Sequence, residues 1–265
     1  MRKILFVSIV SFFCLIPLVA LVLKSVTSAF KWGNSSPLSF HLSGWKVLIN
    51  DSTILHAMLI SLCIASLVTT LNLVIGISAG RALAFYSFKG KSVIETFLLL
   101  PLFLPTLAAA MGLHISMIRL GLADNWVGVS LVHLIPTVPY AIKIFTSAYE
   151  RLGQRMIDEA YLLGGNALHV FKSVEIPSMI QSIRSAVFLT FVISLSQYVL
   201  TAIIGGGNVI TLSIIFYPFT QSANDTLMAA FSLVFAILPL IGIVVFEILI
   251  RLVFRIPIRL RSSVT

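Results

Sequence analysis

Two adjacent acidic residues, Asp158 and Glu159, are the side chains best placed to do chemistry in this sequence. They stand in a polar connection between long apolar stretches, and Arg151 and Arg155 lie just before them. A cluster of this kind is compatible with docking to the charged surface of another protein.

The segment around these acids is predicted to be mainly helical over residues 156–171, because apolar residues recur there at helical spacing. The acids lie early in it, where carboxylates stabilise a helix N-terminus. Gly164 and Gly165 interrupt the pattern and predict a bend, and Pro177 is expected to close the segment. We therefore expect two short helices that lie either in the membrane interface or against a cytoplasmic partner.

The composition predicts that the rest of the chain lies in a membrane. Of 265 residues, 58% are hydrophobic and only 10% are charged, and the mean hydropathy is +1.07. Ordinary soluble domains are about 45–50% apolar and roughly 25% charged, so this chain has too few charges to cover a soluble surface. The net charge of +9 does not indicate nucleic-acid binding, because the basic residues are scattered between apolar runs.

The apolar runs predict an all-α polytopic membrane protein in one transmembrane domain, 1–265. A bilayer core takes about 20 apolar residues per helix. Six spans are predicted, at about 4–23, 54–80, 97–117, 127–147, 186–204 and 227–249. The first helix and an outer loop occupy residues 1–53, and the core transmembrane helices occupy residues 54–253. An inner loop within this core occupies residues 150–184. The first run exceeds the usual 7–15-residue core of a signal peptide, so we expect it to be retained.

The basic residues predict the orientation of the spans. If the N-terminus is inside, all of the 18 lysines and arginines lie on the inner side except Lys24, Lys31, Lys46 and Arg119. Positive charge concentrates on the cytoplasmic side of membrane proteins. Both termini and the loop with the paired acids are therefore expected to be cytoplasmic.

The sequence shows no constellation that would make the chain an enzyme or a metal protein. It has no phosphate-binding Gly-x-x-x-x-Gly-Lys-Ser/Thr motif, so it is not expected to bind ATP. His56, His114 and His133 are expected to be hydrogen-bonded structural groups without metal-ligand spacing. Glu247 and Arg251 stand four residues apart and are expected to pair. An ion-coupled secondary transporter remains the alternative, and it would need titratable residues in mid-span.

The stretch 158–177 resembles the Glu-Ala-Ala loop of ABC-importer permeases. That pattern reads Glu-Ala-Ala, three residues, Gly, nine residues, a branched apolar residue, one residue, Leu and Pro. The matching positions here are Asp158, Glu159, Ala160, Gly164, Val174, Ile176 and Pro177. The departures are Asp for Glu, Glu for Ala and Ile for Leu. The proline-punctuated stretch 98–107 and the stretch 194–212 are similar to spans of the same permeases, closest to the polyamine, thiamine and ferric-iron subgroup.

The resemblance implies a type I importer permease of the bacterial inner membrane, which hydrolyses nothing itself. It also implies a second permease half of the same or a related chain, a cytoplasmic ATPase dimer that uses the ATP, and an external substrate-binding protein. The residues it assigns to ATPase coupling are Asp158, Glu159, Ala160, Leu163, Gly164, Gly165, Phe171 and Pro177. Prolines within the spans point to a substrate path, because helix-breaking residues are tolerated where neighbours or cavity water satisfy the freed backbone groups; kinks that serve packing alone are the alternative. The candidates for the walls of such a path are Pro101, Pro105, Ser194, Gln197 and Tyr198.

Overall fold

The structure, a computed structural model, describes residues 2–27, 40–219 and 224–254. It confirms the predicted all-α class: within these ranges the only β pairing is one isolated bridge, between Thr27 and Phe40. The helices are α1 Arg2–Val26, α2 Ser43–Asn50, α3 Ser52–Phe85, α4 Lys91–Leu99, α5 Thr106–Arg119, α6 Trp126–Leu152, α7 Gln154–Leu162, α8 Ala167–Val170, α9 Ile176–Ser178, α10 Ile180–Leu195, α11 Tyr198–Ile204, α12 Leu212–Phe219 and α13 Asp225–Phe254.

Three unbroken helices of the described chain are long and apolar enough to cross a membrane, namely α3, α6 and α13. They contain the predicted second, fourth and sixth spans and extend each by several residues. Polar caps fix two of their starts: Asp51 accepts a hydrogen bond from Thr53 N at 2.8 Å, and Asn125 accepts one from Val127 N at 3.0 Å. The helix α1 contains the predicted first span and packs on α13.

The predicted third span is broken rather than continuous. A 3₁₀ turn, Leu100–Phe103, follows α4, and the axis then bends by 105° into α5. Leu104 at the bend is extended (φ −80°, ψ 138°), because the residue before a proline, here Pro105, is driven out of the helical region. The proline-punctuated stretch is therefore a hinge point between two helices.

The predicted fifth span is also interrupted. The helix α10 ends at Leu195 and α11 begins at Tyr198, so Gln197 lies between two helices. Its carbonyl accepts hydrogen bonds from the hydroxyls of Thr201 (2.6 Å) and Ser213 (3.2 Å). A broken helix is tolerated in a membrane only where its freed backbone groups are satisfied in this way. A second bend, of 73°, lies before α10. With each bent pair counted as one span, the described residues hold up to five spans.

The parallel helices α3 and α6 pack closely because of two glycines one turn apart. A Cβ at Gly76 would lie 2.7 Å from the Phe145 ring, and a Cβ at Gly80 would lie 2.7 Å from Phe145 Cβ and 2.8 Å from Thr146 N. Small residues at this spacing let helix backbones approach in a membrane, where packing drives association. The pair α3 and α6 therefore forms the closest-packed part of the scaffold that holds the inner loop.

We predict that Gly80→Ala destabilises the protein, because its new methyl group meets backbone atoms of α6 that cannot move aside. The expected loss is about 1–3 kcal/mol, read as a lower melting temperature in detergent. Gly112→Ala in α5 is the matched control, since a Cβ there meets nothing within 4 Å. Equal melting temperatures for the two variants would contradict the packing argument.

Candidate functional site

The inner loop consists of two short helical segments joined at a glycine bend, as its sequence pattern predicts. The helix α7 ends at Leu162, and Gly164 then adopts the left-handed conformation (φ 88°) that disfavours other residues. A Cβ at Gly165 would lie 2.9 Å from both Ala160 O and the Val170 side chain. Asn166 caps α8 by accepting a hydrogen bond from His169 N at 2.8 Å. The bend is thus fixed by local backbone contacts.

Pro177 does not close the segment as expected. A π-helical turn, Phe171–Glu175, leads into α9, and Pro177 lies in the first turn of that helix. A proline is tolerated there because its missing N–H is one that the first helical turn leaves unbonded. The chain bends two residues later, at Met179, before α10 begins.

The inner face of the loop is anchored in a hydrophobic cluster with the inner ends of α6 and α10. Ile157, Val170 and Ile176 are each at most 3% exposed and pack in this cluster. Two of the predicted coupling residues, Ala160 and Phe171, pack partly buried against it. Burying such side chains stabilises the docked loop by about 1.5–3 kcal/mol for each large one. The loop is therefore part of the folded core.

A buried carboxylate, Glu175, ties the loop to two membrane-spanning helices. Its side chain is 0% exposed, and its Oε1 lies 3.2 Å from Nη1 of Arg81 at the end of α3. Its Oε2 accepts a hydrogen bond of 2.8 Å from the hydroxyl of Tyr149 near the end of α6. Oε1 makes no well-aligned hydrogen bond, so the Arg81 contact is an ion pair. A buried charge is tolerable only when it is paired in this way.

Arg81 also lies near Tyr161 of α7, so this ion pair adjoins the first half of the loop. Sequence reasoning missed Glu175, Arg81 and Tyr149 as a functional set. The available signal was an acid between two branched apolar residues, Val174 and Ile176, where a solvated acid is unexpected. Its partners lie more than 20 residues away in sequence, so no local pattern could identify them.

The outer surface of the loop presents an apolar tip at the glycine bend. Leu162 and Leu163 are 87% and 89% exposed, and Leu168 is 61% exposed. Asp158, Glu159 and Gly164 are exposed beside them. Leucines this exposed, on a loop whose other face is buried, are typical of a surface that contacts another protein or the membrane interface. Leu162 and Leu168 were not among the predicted coupling residues.

The two acids differ in their surroundings. Glu159 Oε1 lies 2.8 Å from Arg155 Nε, four residues earlier on the same helix. Asp158 has no ion pair among the residues that the structure describes. Asp158, which takes the Glu position of the family pattern, is therefore the one of the two acids that no described residue neutralises.

The predicted path residues fall into two groups at the two broken spans. Pro101 and Pro105 flank the break before α5, whereas Ser194, Gln197 and Tyr198 surround the break between α10 and α11. The ring of Tyr198 stacks on Tyr217 with centroids 4.2 Å apart. The helices α5 and α11 pack against each other, so the structure brings the second halves of both broken spans together.

Ser194 is buried rather than open to a path. His133, also buried, contacts Ser194 Oγ through Nδ1 and Thr201 Oγ1 through Nε2, both at 3.0 Å. His133 thus has the expected role of a hydrogen-bonded structural group, and it holds α10 and α11 on either side of their break. Glu247 pairs with Arg184 of α10 at 2.5 Å, while the side chain of Arg251, its expected partner, lies outside the described residues.

Residues 72–255 match the family described as "Binding-protein-dependent transport system inner membrane component". This match spans more than half of the chain and includes both broken spans and the inner loop. The chain belongs to this family. It is the multi-pass inner-membrane subunit of an ATP-driven importer, and it is a transport protein, not an enzyme.

Relatives and solved structures agree with this membership. The chain is 23% identical over 246 residues to the spermidine/putrescine permease PotC of Haemophilus influenzae, covering 93% of this chain and 95% of the relative. It is 24% identical over 231 residues to the putrescine permease PotI of Escherichia coli K12, covering 82% of each. The crystal structure of a bacterial ABC transporter that imports alginate shares the fold, with a TM-score of 0.69 at 15% identity over 93% of both chains.

We predict that Glu175→Gln lowers the melting temperature, because it removes the charge that pairs with Arg81. The expected cost is about 2–3 kcal/mol, below that of a fully buried pair because Arg81 is 38% exposed. The double variant with Arg81→Gln should lose much less than the sum of the two single variants. Glu159→Gln, which removes an exposed pair, is the control and should melt like the parent. Additive losses would show that Glu175 and Arg81 do not interact.

Proposed function

We propose that residues 156–177 form the coupling element through which a cytoplasmic ATPase dimer drives this permease. The observation that carries the proposal is the contrast between the two faces of the loop. One face is buried and tied to α3 and α6 through Glu175. The other exposes Leu162, Leu163 and Asp158, which makes no ion pair with a described residue. An exposed apolar tip with one charge suits a groove on a partner protein.

The coupling residues divide between the two faces. Asp158, Leu163 and Gly164 meet the ATPase, where Gly164 allows the partner's backbone to come close to the bend. Ala160 and Phe171 anchor the loop to the permease, while Gly165 and Pro177 shape its backbone. ATP is bound and hydrolysed by the partner, and closure of the ATPase dimer shifts the permease between two conformations.

The orientation follows from placing this loop inside the cell. Both termini are then cytoplasmic, and α1, α3, α6, α13 and the two broken spans make six crossings. A second permease half, of the same or a related chain, completes the path, and a substrate-binding protein delivers the substrate on the outer side. The crystal structure of an alginate ABC transporter in complex with a substrate-bound periplasmic protein supports this assembly.

The substrate path runs along the two broken spans, at Pro101, Pro105, Gln197 and Tyr198. The side-chain amide of Gln197 and the stacked rings of Tyr198 and Tyr217 place polar and aromatic groups beside the break, where an unbroken apolar helix would offer none. Ser194 does not line this wall but positions it, through its hydrogen bond with the buried His133. The similarity to PotC and PotI supports the polyamine, thiamine and ferric-iron subgroup of permeases.

We predict that Leu163→Ser and Asp158→Arg each reduce binding of the cognate ATPase about tenfold or more, since they remove the apolar tip or reverse its charge. Binding of purified ATPase is measured with membrane vesicles of both orientations. Inverted vesicles should bind it and right-side-out vesicles should not, because the loop is proposed to be cytoplasmic.

The matched control is Leu120→Ser, which removes a leucine 66% exposed after α5, at the predicted outer side. It should leave ATPase binding unchanged. Normal binding to a folded Leu163→Ser, Asp158→Arg double variant would contradict the docking surface. Binding to right-side-out vesicles alone would contradict the orientation.

A further inference from the structure

A cavity of about 550 Å³ lies at the end of the molecule opposite the inner loop. Its walls come from the first turns of α3, the residues just before α6 and the turn after α11. The apolar lining residues are Leu59, Ile60, Cys63, Ile64 and Val209. The polar lining residues are His56, Asp124, Asn125, Trp126 and Asn208. Ligand sites in proteins commonly combine this volume with a mostly apolar lining and a few polar groups.

The backbone of Asp124 is fixed at the edge of this cavity, and its carboxylate lies over Gly206. Asp124 has a left-handed backbone (φ 58°), which is uncommon for a residue other than glycine. Its N–H donates to Ile204 O at 2.8 Å, and its side chain lies directly over Gly206, where any Cβ would displace it. The backbone hydrogen bond therefore fixes where the side chain of Asp124 begins, and the bare glycine leaves space for its carboxylate beside the turn after α11.

No cation of the protein neutralises this carboxylate within the described ranges. Asp124 is exposed and makes no ion pair with a described lysine, arginine or histidine. Trp126, 56% exposed, lines the same cavity. Asn125 uses its Oδ1 to cap α6, which leaves its amide donors available. A carboxylate beside an indole recognises an ammonium group, while amide donors suit an adjacent phosphate.

The depth of the cavity indicates where such a ligand comes from. The candidate membrane-crossing helix α6 begins at Trp126. Because tryptophan concentrates at membrane interfaces, we place Asp124, two residues before it, at the level of the lipid headgroups. The apolar lining continues along α3 into the bilayer, where Leu59 is 61% exposed. A ligand that fills the cavity therefore needs a charged head at the boundary and an apolar chain below it.

We propose that this cavity binds the headgroup of an aminophospholipid from the surrounding bilayer. The primary ammonium group donates a hydrogen bond to Asp124 and lies against the ring of Trp126. The phosphate accepts hydrogen bonds from the side-chain amides of Asn125 and Asn208. An acyl chain lies along Leu59 and Cys63. The lipid bridges α3, α6 and the turn after α11. This site is independent of the proposed coupling loop; only the leaflet, the outer one, follows from the proposed orientation.

The test compares the full chain in nanodiscs of phosphatidylcholine alone with nanodiscs of phosphatidylcholine and phosphatidylethanolamine, which carry the same net charge. Phosphatidylethanolamine should raise the melting temperature of the parent. Asp124→Asn should abolish the increase, since asparagine keeps the shape and tolerates the left-handed backbone but lacks the charge. In native mass spectrometry, retention of phosphatidylethanolamine should fall about tenfold, as for loss of one charge-assisted hydrogen bond.

Glu95→Gln is the matched control, because it removes one carboxylate near the opposite end of the spans and should keep the full lipid effect. An equal phosphatidylethanolamine effect in Asp124→Asn, or none in the parent, would overturn the proposal. Adding hexylamine to the protein in detergent distinguishes binding of a lipid from binding of a soluble amine. Asp124-dependent stabilisation by hexylamine without any phosphatidylethanolamine effect would also overturn the lipid assignment.

Discussion

The ion pair between Glu175 and Arg81 is the constraint on which the inner end of this permease depends. A carboxylate buried without a partner would cost several kcal/mol, so the π-helical turn that carries Glu175 cannot leave α3 while it stays charged. Tyr149 binds the second carboxylate oxygen from α6. Three elements distant in sequence are therefore joined at a single charged group, and the loop is held by the spans that it is proposed to move.

The position of this ion pair decides which helices would respond to the loop. Arg81 follows Gly80 directly, and Tyr149 lies one turn after Phe145, the residue on which Gly80 packs. The ion pair thus lies beside the close approach of α3 and α6 at Gly80. A displacement of the loop would be passed to these two helices together, because closely packed helices resist sliding past each other. The helices are interrupted at Leu104, Met179 and Gln197, and residues at element ends are those that commonly absorb hinge motions.

Much of this arrangement follows from local sequence. Apolar runs predict the spans because lipid demands about 20 apolar residues, and Gly164 predicts the bend because few other residues adopt its conformation. The break after Leu195 was not predictable, since no proline or glycine marks it and its backbone is satisfied by Thr201 and Ser213. The Glu175 ion pair was not predictable either. Its partners meet only after α3 and α6 have packed, and periodicity carries no information on such distant contacts.

If Glu175 locks the loop to the spans, the loop and α6 must move as one body. Probes are placed at Glu150→Cys and Lys172→Cys in a chain whose two native cysteines are serine. Their distance is measured in the assembled transporter with and without ATP. We predict one unchanged distance distribution in both states, and a second distribution when Glu175→Gln is added. An ATP-dependent change of this distance in the parent would contradict the claim that Glu175 locks the loop to the spans.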